Sequence, residues 1–495
     1  MSASGSGRMR PGEVLLSTVA AVSWAFLAMA GVAALGLHLV GADGAGALGP
    51  MTAAAMVLAV GGSVTPSGDV KAFGLTGAQA HSAVDIAPLG ISLVGALLLG
   101  WLFVRSLRGA GAVIDGAELA TRAGAVVLLF LLVLAGLTWV GNDTVTIDAS
   151  TLGVAGKTKQ EQGGLLEKLP GELGDIADIG SGLLPDRIQR LIDAKAAVGF
   201  TVEAGRSVLG GAVWVVVVLL IALLVARRAP VPHGLEAAHR TVRPAASALC
   251  GVLVLAVGAG LAAALYAAIG DDHPRLVLGA ALLGAPNGVW LGVPLGLFVP
   301  WHGGASGALV RVLPDPLDDL LANEHNEPIT VARLAELDGR VWLLTVGCVL
   351  MILAAGVLTA VRTPIGQAGR SGGSGQSGRA GQAGFVGRWG IVGQCALRLG
   401  IVTAVALPLL CRLTEVSAGA SLSVLGFDAF GAGIELHGGG AVAWALGAGW
   451  GAAAGAAGAL AAWATGAAGG RASRFAFDST PHDDSTPHDG PATTK

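Results

Sequence analysis

The chain has 495 residues, of which 53% are hydrophobic and only 13% charged, with mean hydropathy +0.70 and formal net charge −3. A soluble domain carries about 25% charged residues, so this composition excludes an ordinary soluble globular protein. With no basic patch it also excludes a nucleic-acid binder.

In chain order, Arg8 and Arg10 precede an apolar run, Val14–Val40. That run is much longer than the h-region of a signal peptide, about 7–15 residues, and reads as a retained first span. A span needs about 20 apolar residues to cross roughly 30 Å of hydrocarbon. The further candidates are Ile86–Val104, Ala123–Val140, Val208–Ala226, Ala245–Ile269, Val341–Val361, Ile391–Leu410 and Ala441–Thr465. Trp101, Trp139, Trp342, Trp389 and Trp463 lie near span ends, as in an interfacial aromatic belt.

Two apolar segments are left over. Met51–Thr65 is too short to span, and Leu276–Trp301 is interrupted by Pro286-Asn287-Gly288, Pro294 and Pro300. If neither crosses, one side of the membrane carries 16 Lys/Arg against 8 Asp/Glu, and the other 12 against 25. A crossing by Leu276–Trp301 alone would move the arginines of Arg362–Arg388 to the other side and weaken this bias. The expectation is therefore an all-α polytopic membrane helix bundle with about eight spans. Both termini are cytoplasmic and the two leftover segments are re-entrant or broken.

The spans repeat. Leu37–Asp43 resembles Leu265–Asp271, and Asp85 and Arg105 flank one span as Asp338 and Arg362 flank another. Arg122-Ala123-Gly124 answers Arg388-Trp389-Gly390, and Ser150–Gly153 answers Ser423–Gly426. Gly210–Trp214 answers Gly439–Trp444. This predicts a parallel 4+4 pseudo-repeat. Residues 1–13 form the N-terminus. Residues 14–228 form the first repeat with an outer loop, 142–206. Residues 229–474 form the second repeat, with an outer loop 302–340 and a cytoplasmic linker 362–388. Residues 475–495 form a tail. Gly/Pro-interrupted segments at corresponding positions of two halves are the best sequence pointer to a transporter-like site. Thr65, Ser67, Pro286 and Asn287 are the candidate cavity-lining residues; a turn role for Asn287 and plain packing for the segments are the alternatives.

Other motifs point to little chemistry. Cys250, Cys348, Cys395 and Cys411 all lie in apolar stretches without a C-x-x-C, which argues against disulfides or a thiolate metal site. Pro185–Ala196 has an amphipathic helical pattern, Glu324–Glu327 is an acidic loop segment, and Gln367–Arg388 reads as a flexible Gly/Ser-rich linker. The linker's Gly373–Gly378 matches G-x-G-x-x-G without a preceding strand. The tail repeats Asp-Ser-Thr-Pro-His-Asp at 478–483 and 484–489. Arg398, inside a span, is either a functional charge or a snorkelling one. Gly447, Gly451 and Gly455 form a double G-x-x-x-G. No catalytic, cofactor-binding or metal-binding residues are expected, and the chain does not read as an enzyme. Its partners are the lipid bilayer and an unidentified small-molecule substrate. The leading functional expectation is a permease-like protein with a cavity between the repeats, and the alternative is a non-transporting scaffold or signalling protein acting through its loops.

Ser23-Trp24-Ala25, Gly36–Leu39, Gly49–Ala53, Gly61–Asp69 and Pro88-Leu89-Gly90 together resemble the streptophobe family of actinobacterial membrane proteins. The resemblance implies a multi-pass plasma-membrane protein, and it carries no activity or catalytic residues with it.

Overall fold

The computed structural model describes residues 11–44, 46–68, 78–108, 116–141, 143–147, 196–226, 236–306, 328–363, 380–424 and 427–465. The amphipathic pattern from Pro185, the Glu324–Glu327 segment, the Gly373–Gly378 motif and the tail hexapeptides lie outside them. The first half contains α1 (Pro11–Val40), α2 (Leu48–Ala59), β1 (Val64–Gly68), β2 (Ala78–Asp85), α3 (Leu89–Arg108), α4 (Gly116–Val140), β3 (Asp143–Ile147), β4 (Ala196–Val202) and α5 (Ala204–Val225). The second contains α6 (Glu236–Ile269), α7 (Pro274–Gly296), β5 (Trp301–Ser306), α8 (Val331–Leu337), α9 (Trp342–Arg362), α10 (Ala380–Leu413), β6 (Val416–Val424), β7 (Phe427–Gly438) and α11 (Gly440–Ala464).

The protein is a multi-pass membrane protein, a helical bundle in which nine helices among the described residues are long and apolar enough to cross a bilayer. The exposed flanks of these helices are apolar: Leu16, Leu128, Leu255 and Leu343 are each more than 60% exposed. Such a surface suits lipid rather than water. Trp444 and Trp463 are both about half exposed on α11. They stand 19 residues apart, or about 28 Å at 1.5 Å per residue, which matches the thickness of the hydrocarbon layer.

All seven strands join one sheet in the order β3-β4-β1-β2-β6-β7-β5. The sheet caps one end of the bundle, and sequence periodicity had not announced it. Its inner face meets the helices through Val64, Val202 and Trp301, all buried. The helix ends that lead into strands therefore share one end, called here the sheet end.

The repeat is visible in the packing. In the first half α1 packs on α2, α3 and α4, and α5 packs on α3 and α4; in the second α6 packs on α7, α9 and α10, and α11 packs on α9 and α10. The strands repeat as well. β3-β4-β1 in one half matches β6-β7-β5 in the other, with β2 bridging the two triads. Each half holds its own apolar core. The register of the last helix differs from the sequence reading. Glu203 and Gly439 are the equivalent N-caps, so Trp214 corresponds to Trp450 rather than to Trp444.

Eight of the nine long helices run from end to end. The ninth, α7, starts beside the last turn of α1, where Gly279 lies against the Gly36 carbonyl, and finishes at β5 in the sheet. Both of its ends are thus at the sheet end. The expected break at Pro286-Asn287-Gly288 does not occur: α7 is a continuous helix through Pro286 and Pro294, and the chain turns only at Leu297–Pro300. Pro286 removes the hydrogen bond that the Leu282 carbonyl would otherwise accept. That carbonyl presses on Gly90 of α3, where any Cβ would collide with it. The linker reading also shortens, because α10 already begins at Ala380.

Candidate functional site

The two re-entrant segments end in the same way. After α2, Gly61 adopts φ +82; after α7, Phe298 adopts φ +69. Gly62 N–H donates to the Val57 carbonyl and Gly61 N–H to that of Leu58, while Val299 N–H donates to Pro294 and Phe298 N–H to Leu295. These are two Schellman turns. Three residues later each chain enters its strand, at Val64 or at Trp301. Glu203 N–H then donates to the Ser63 carbonyl at 3.1 Å, and Gly439 N–H to that of Pro300 at 2.9 Å. The first turn uses glycine for the left-handed residue. The second uses phenylalanine, which costs roughly 1–2 kcal/mol for the backbone, and seats its ring beside Trp342 and Trp450, with centroids 6.5 and 6.4 Å away.

The turns lie against the helices more than one turn from their sheet ends. Trp450 Nε1 donates to the Leu297 carbonyl at 3.2 Å. Trp450 is six residues deeper than Trp444, or about 9 Å along the helix. A Cβ at Gly296 would meet Cys348 Sγ at 2.6 Å, and Cys348 is likewise six residues below Trp342. In the first half, Gly210 allows the Gly61 carbonyl to approach α5 where any side chain would collide.

Asn287 does not form a turn. It sits on α7 and grips the start of α3: its Oδ1 accepts from Leu89 N–H at 3.0 Å, and its Nδ2 donates to the Ala87 carbonyl at 2.7 Å. One carboxamide thus satisfies an otherwise orphaned N–H of the first helical turn and ties the two halves together. Pro286 is buried beside it. Thr65 is elsewhere, on the outer face of the sheet, with its hydroxyl 3.1 Å from that of Thr201. Ser67 lies further along β1, opposite Gly199. No hydrogen bond among the described residues joins Thr65 to Asn287. The re-entrant helices themselves share α1 and α3 as neighbours rather than packing broadly on one another.

Buried polar groups without partners concentrate here. Thr52 Oγ1 and Ser63 Oγ belong to the first re-entrant segment; Trp290 Nε1 and Trp301 Nε1 belong to the second, and Thr345 Oγ1 to the first turn of α9. The pseudo-repeat explains the last. Ser92 and Thr345 are each the fourth residue of equivalent helices. Trp214 Nε1 donates to Ser92 Oγ at 2.8 Å, whereas its counterpart Trp450 is turned to the Leu297 carbonyl and leaves Thr345 alone. An unmade buried hydrogen bond costs about 1–3 kcal/mol, and Trp290, Trp301 and Thr345 of the second half each carry one such atom. None of the three was legible beforehand, since tryptophan and threonine at span ends read equally well as belt and packing residues.

Arg398 lies at the end opposite the sheet. Its guanidinium lies 3.5 Å from Thr363 Oγ1, beyond the last turn of α9, and 3.4 Å from Gln394. Among the described residues no group of three or more His, Cys, Asp or Glu is placed to hold a metal ion. No family model matches the chain, and no curated protein or solved structure matches it.

Proposed function

We propose that the protein is a permease-like carrier for a small polar solute, with its solute site in the second half beneath the sheet. The observation that carries this is the gathering of unpaired buried polar atoms on the re-entrant segments. Indole N–H groups only donate, so Trp290, Trp301 and Thr345 suit a solute rich in acceptor oxygens. Transporter sites of this kind lie at interrupted segments in corresponding positions of two repeats. The end opposite the sheet is cytoplasmic in this reading, because the 16:8 and 12:25 charge split puts the basic loops there. The sheet then faces outward and both termini face inward. The resemblance to the streptophobe family supports placement in the plasma membrane.

The test is a thermal-shift screen of the purified protein against sugars, amino acids and organic acids, repeated on Thr345→Val and Trp290→Phe. Both variants remove an unpaired group and should hold or raise intrinsic stability while abolishing the shift of any hit. Uptake of that hit into proteoliposomes should fall in parallel. A hit that stabilises the variants as well as the wild type, or a library without a single hit, would move the reading to a membrane scaffold.

A further inference from the structure

On the outer face of the sheet, His302 of β5 stands directly opposite His437 of β7. Their rings are stacked at 20° with centroids 5.7 Å apart. The face follows from strand alternation: Trp301 and Gly438 look into the bundle, so the next pair looks out. In the first half the same position is the hydroxyl pair of Thr65 and Thr201. The second repeat thus holds two imidazoles where the first holds two alcohols. No hydrogen bond or ion pair among the described residues engages either imidazole. Glu435 follows on the same face, opposite Gly304, whose missing side chain leaves open space beside the pair.

The geometry points to a two-histidine site for an imidazole-preferring divalent ion of the copper, nickel and zinc group. Imidazole suits these metals, and Cu(II) binds such ligands most tightly. A metal–nitrogen distance of about 2.0–2.1 Å asks for nitrogens roughly 3 Å apart. The broad χ2 torsion of histidine lets stacked rings pivot to that spacing without moving the strands. Water completes the coordination in the open space over Gly304. The bound ion would clip β5 to β7. β5 leaves the second re-entrant turn and β7 enters α11, whose Trp450 holds the same turn. The clip therefore closes a ring around the turn.

The experiment adds Cu(II) to the purified full-length chain in which the tail histidines are removed (His482→Ala, His488→Ala). The expected result is one bound ion whose electron paramagnetic resonance spectrum shows coupling to two imidazole nitrogens, with a raised melting temperature. Replacing the pair by its counterpart in the first repeat (His302→Thr with His437→Thr) should weaken binding at least tenfold and abolish the melting shift. If that double variant does not fold, His302→Gln alone decides, since it should reduce the coupled nitrogens from two to one. Copper binding that either variant leaves unchanged places the ion on other histidines and overturns the assignment, as does no binding by the parent chain.

Discussion

Gly451→Ala adds one methyl group at a tight contact between two helices. Gly447, Gly451 and Gly455 lie along α11 against the backbone of α10. A Cβ at Gly451 would strike Thr403 Oγ1 and would lie 2.7 Å from the Leu399 carbonyl and 2.9 Å from Gly400 Cα. Backbone cannot swing aside as a side chain can, so the helices must part by most of an ångström. Overpacking of this kind costs about 1–3 kcal/mol. Parting also threatens the 2.7 Å hydrogen bond from Thr403 Oγ1 to the Gly447 carbonyl, worth about 0.5–1.5 kcal/mol. The expected loss is about 2–4 kcal/mol from these two contributions together. Gly449→Ala is the control on the same helix, because a Cβ there meets nothing within 4 Å; helix propensity alone predicts a gain of up to about 1 kcal/mol. Reversible unfolding in graded SDS, read by far-ultraviolet circular dichroism, measures both. Equal behaviour of the two variants would refute the claim that backbone contact across this glycine face holds the second half together.

Asn287→Leu removes both the donor and the acceptor that grip the start of α3, and should destabilise by about 1–3 kcal/mol in the same titration; an unchanged midpoint would mean that the clamp adds nothing. Gly61→Ala should cost about 1 kcal/mol or more, because a side chain is strained at positive φ. Phe298→Gly should come out near neutral, backbone relief offsetting lost ring contacts; a loss as large as that of a core aromatic would show that the ring, not the turn, matters. In a cysteine-free background, Ser306→Cys should react with a membrane-impermeant maleimide on intact cells and Arg108→Cys should not. The reverse pattern would invert the proposed orientation.

The spans were legible because a run of about 20 apolar residues has few other homes, and Pro274–Gly296 is one of the nine helices long and apolar enough to cross. The prolines misled about its continuity. Pro286 reads as a breaker, yet the freed Leu282 carbonyl is accommodated by a glycine on another helix, a contact that no local pattern reveals. The sheet was hidden because most of its strands are rich in glycine, alanine and serine, and most of its pairings join residues far apart in the chain. Thr65 and Ser67 were chosen for polarity beside a break and prove to be strand residues. Asn287 was picked out as a polar residue in a broken segment, and it is engaged by backbone at the start of α3. The unpaired Trp290 and Thr345 could not be found without knowing that Trp450 is turned away.

Strand β2 belongs to the first repeat by sequence but forms eight consecutive residue pairs with β6 of the second, from Ala78 with Val424 to Asp85 with Ser417. It acts as a ligament. Carriers built from two repeats usually work by rocking one half against the other, and here the sheet end cannot part without tearing that ladder. In the proposed carrier the ladder therefore couples the two halves at the sheet end, like the rivet of a pair of shears.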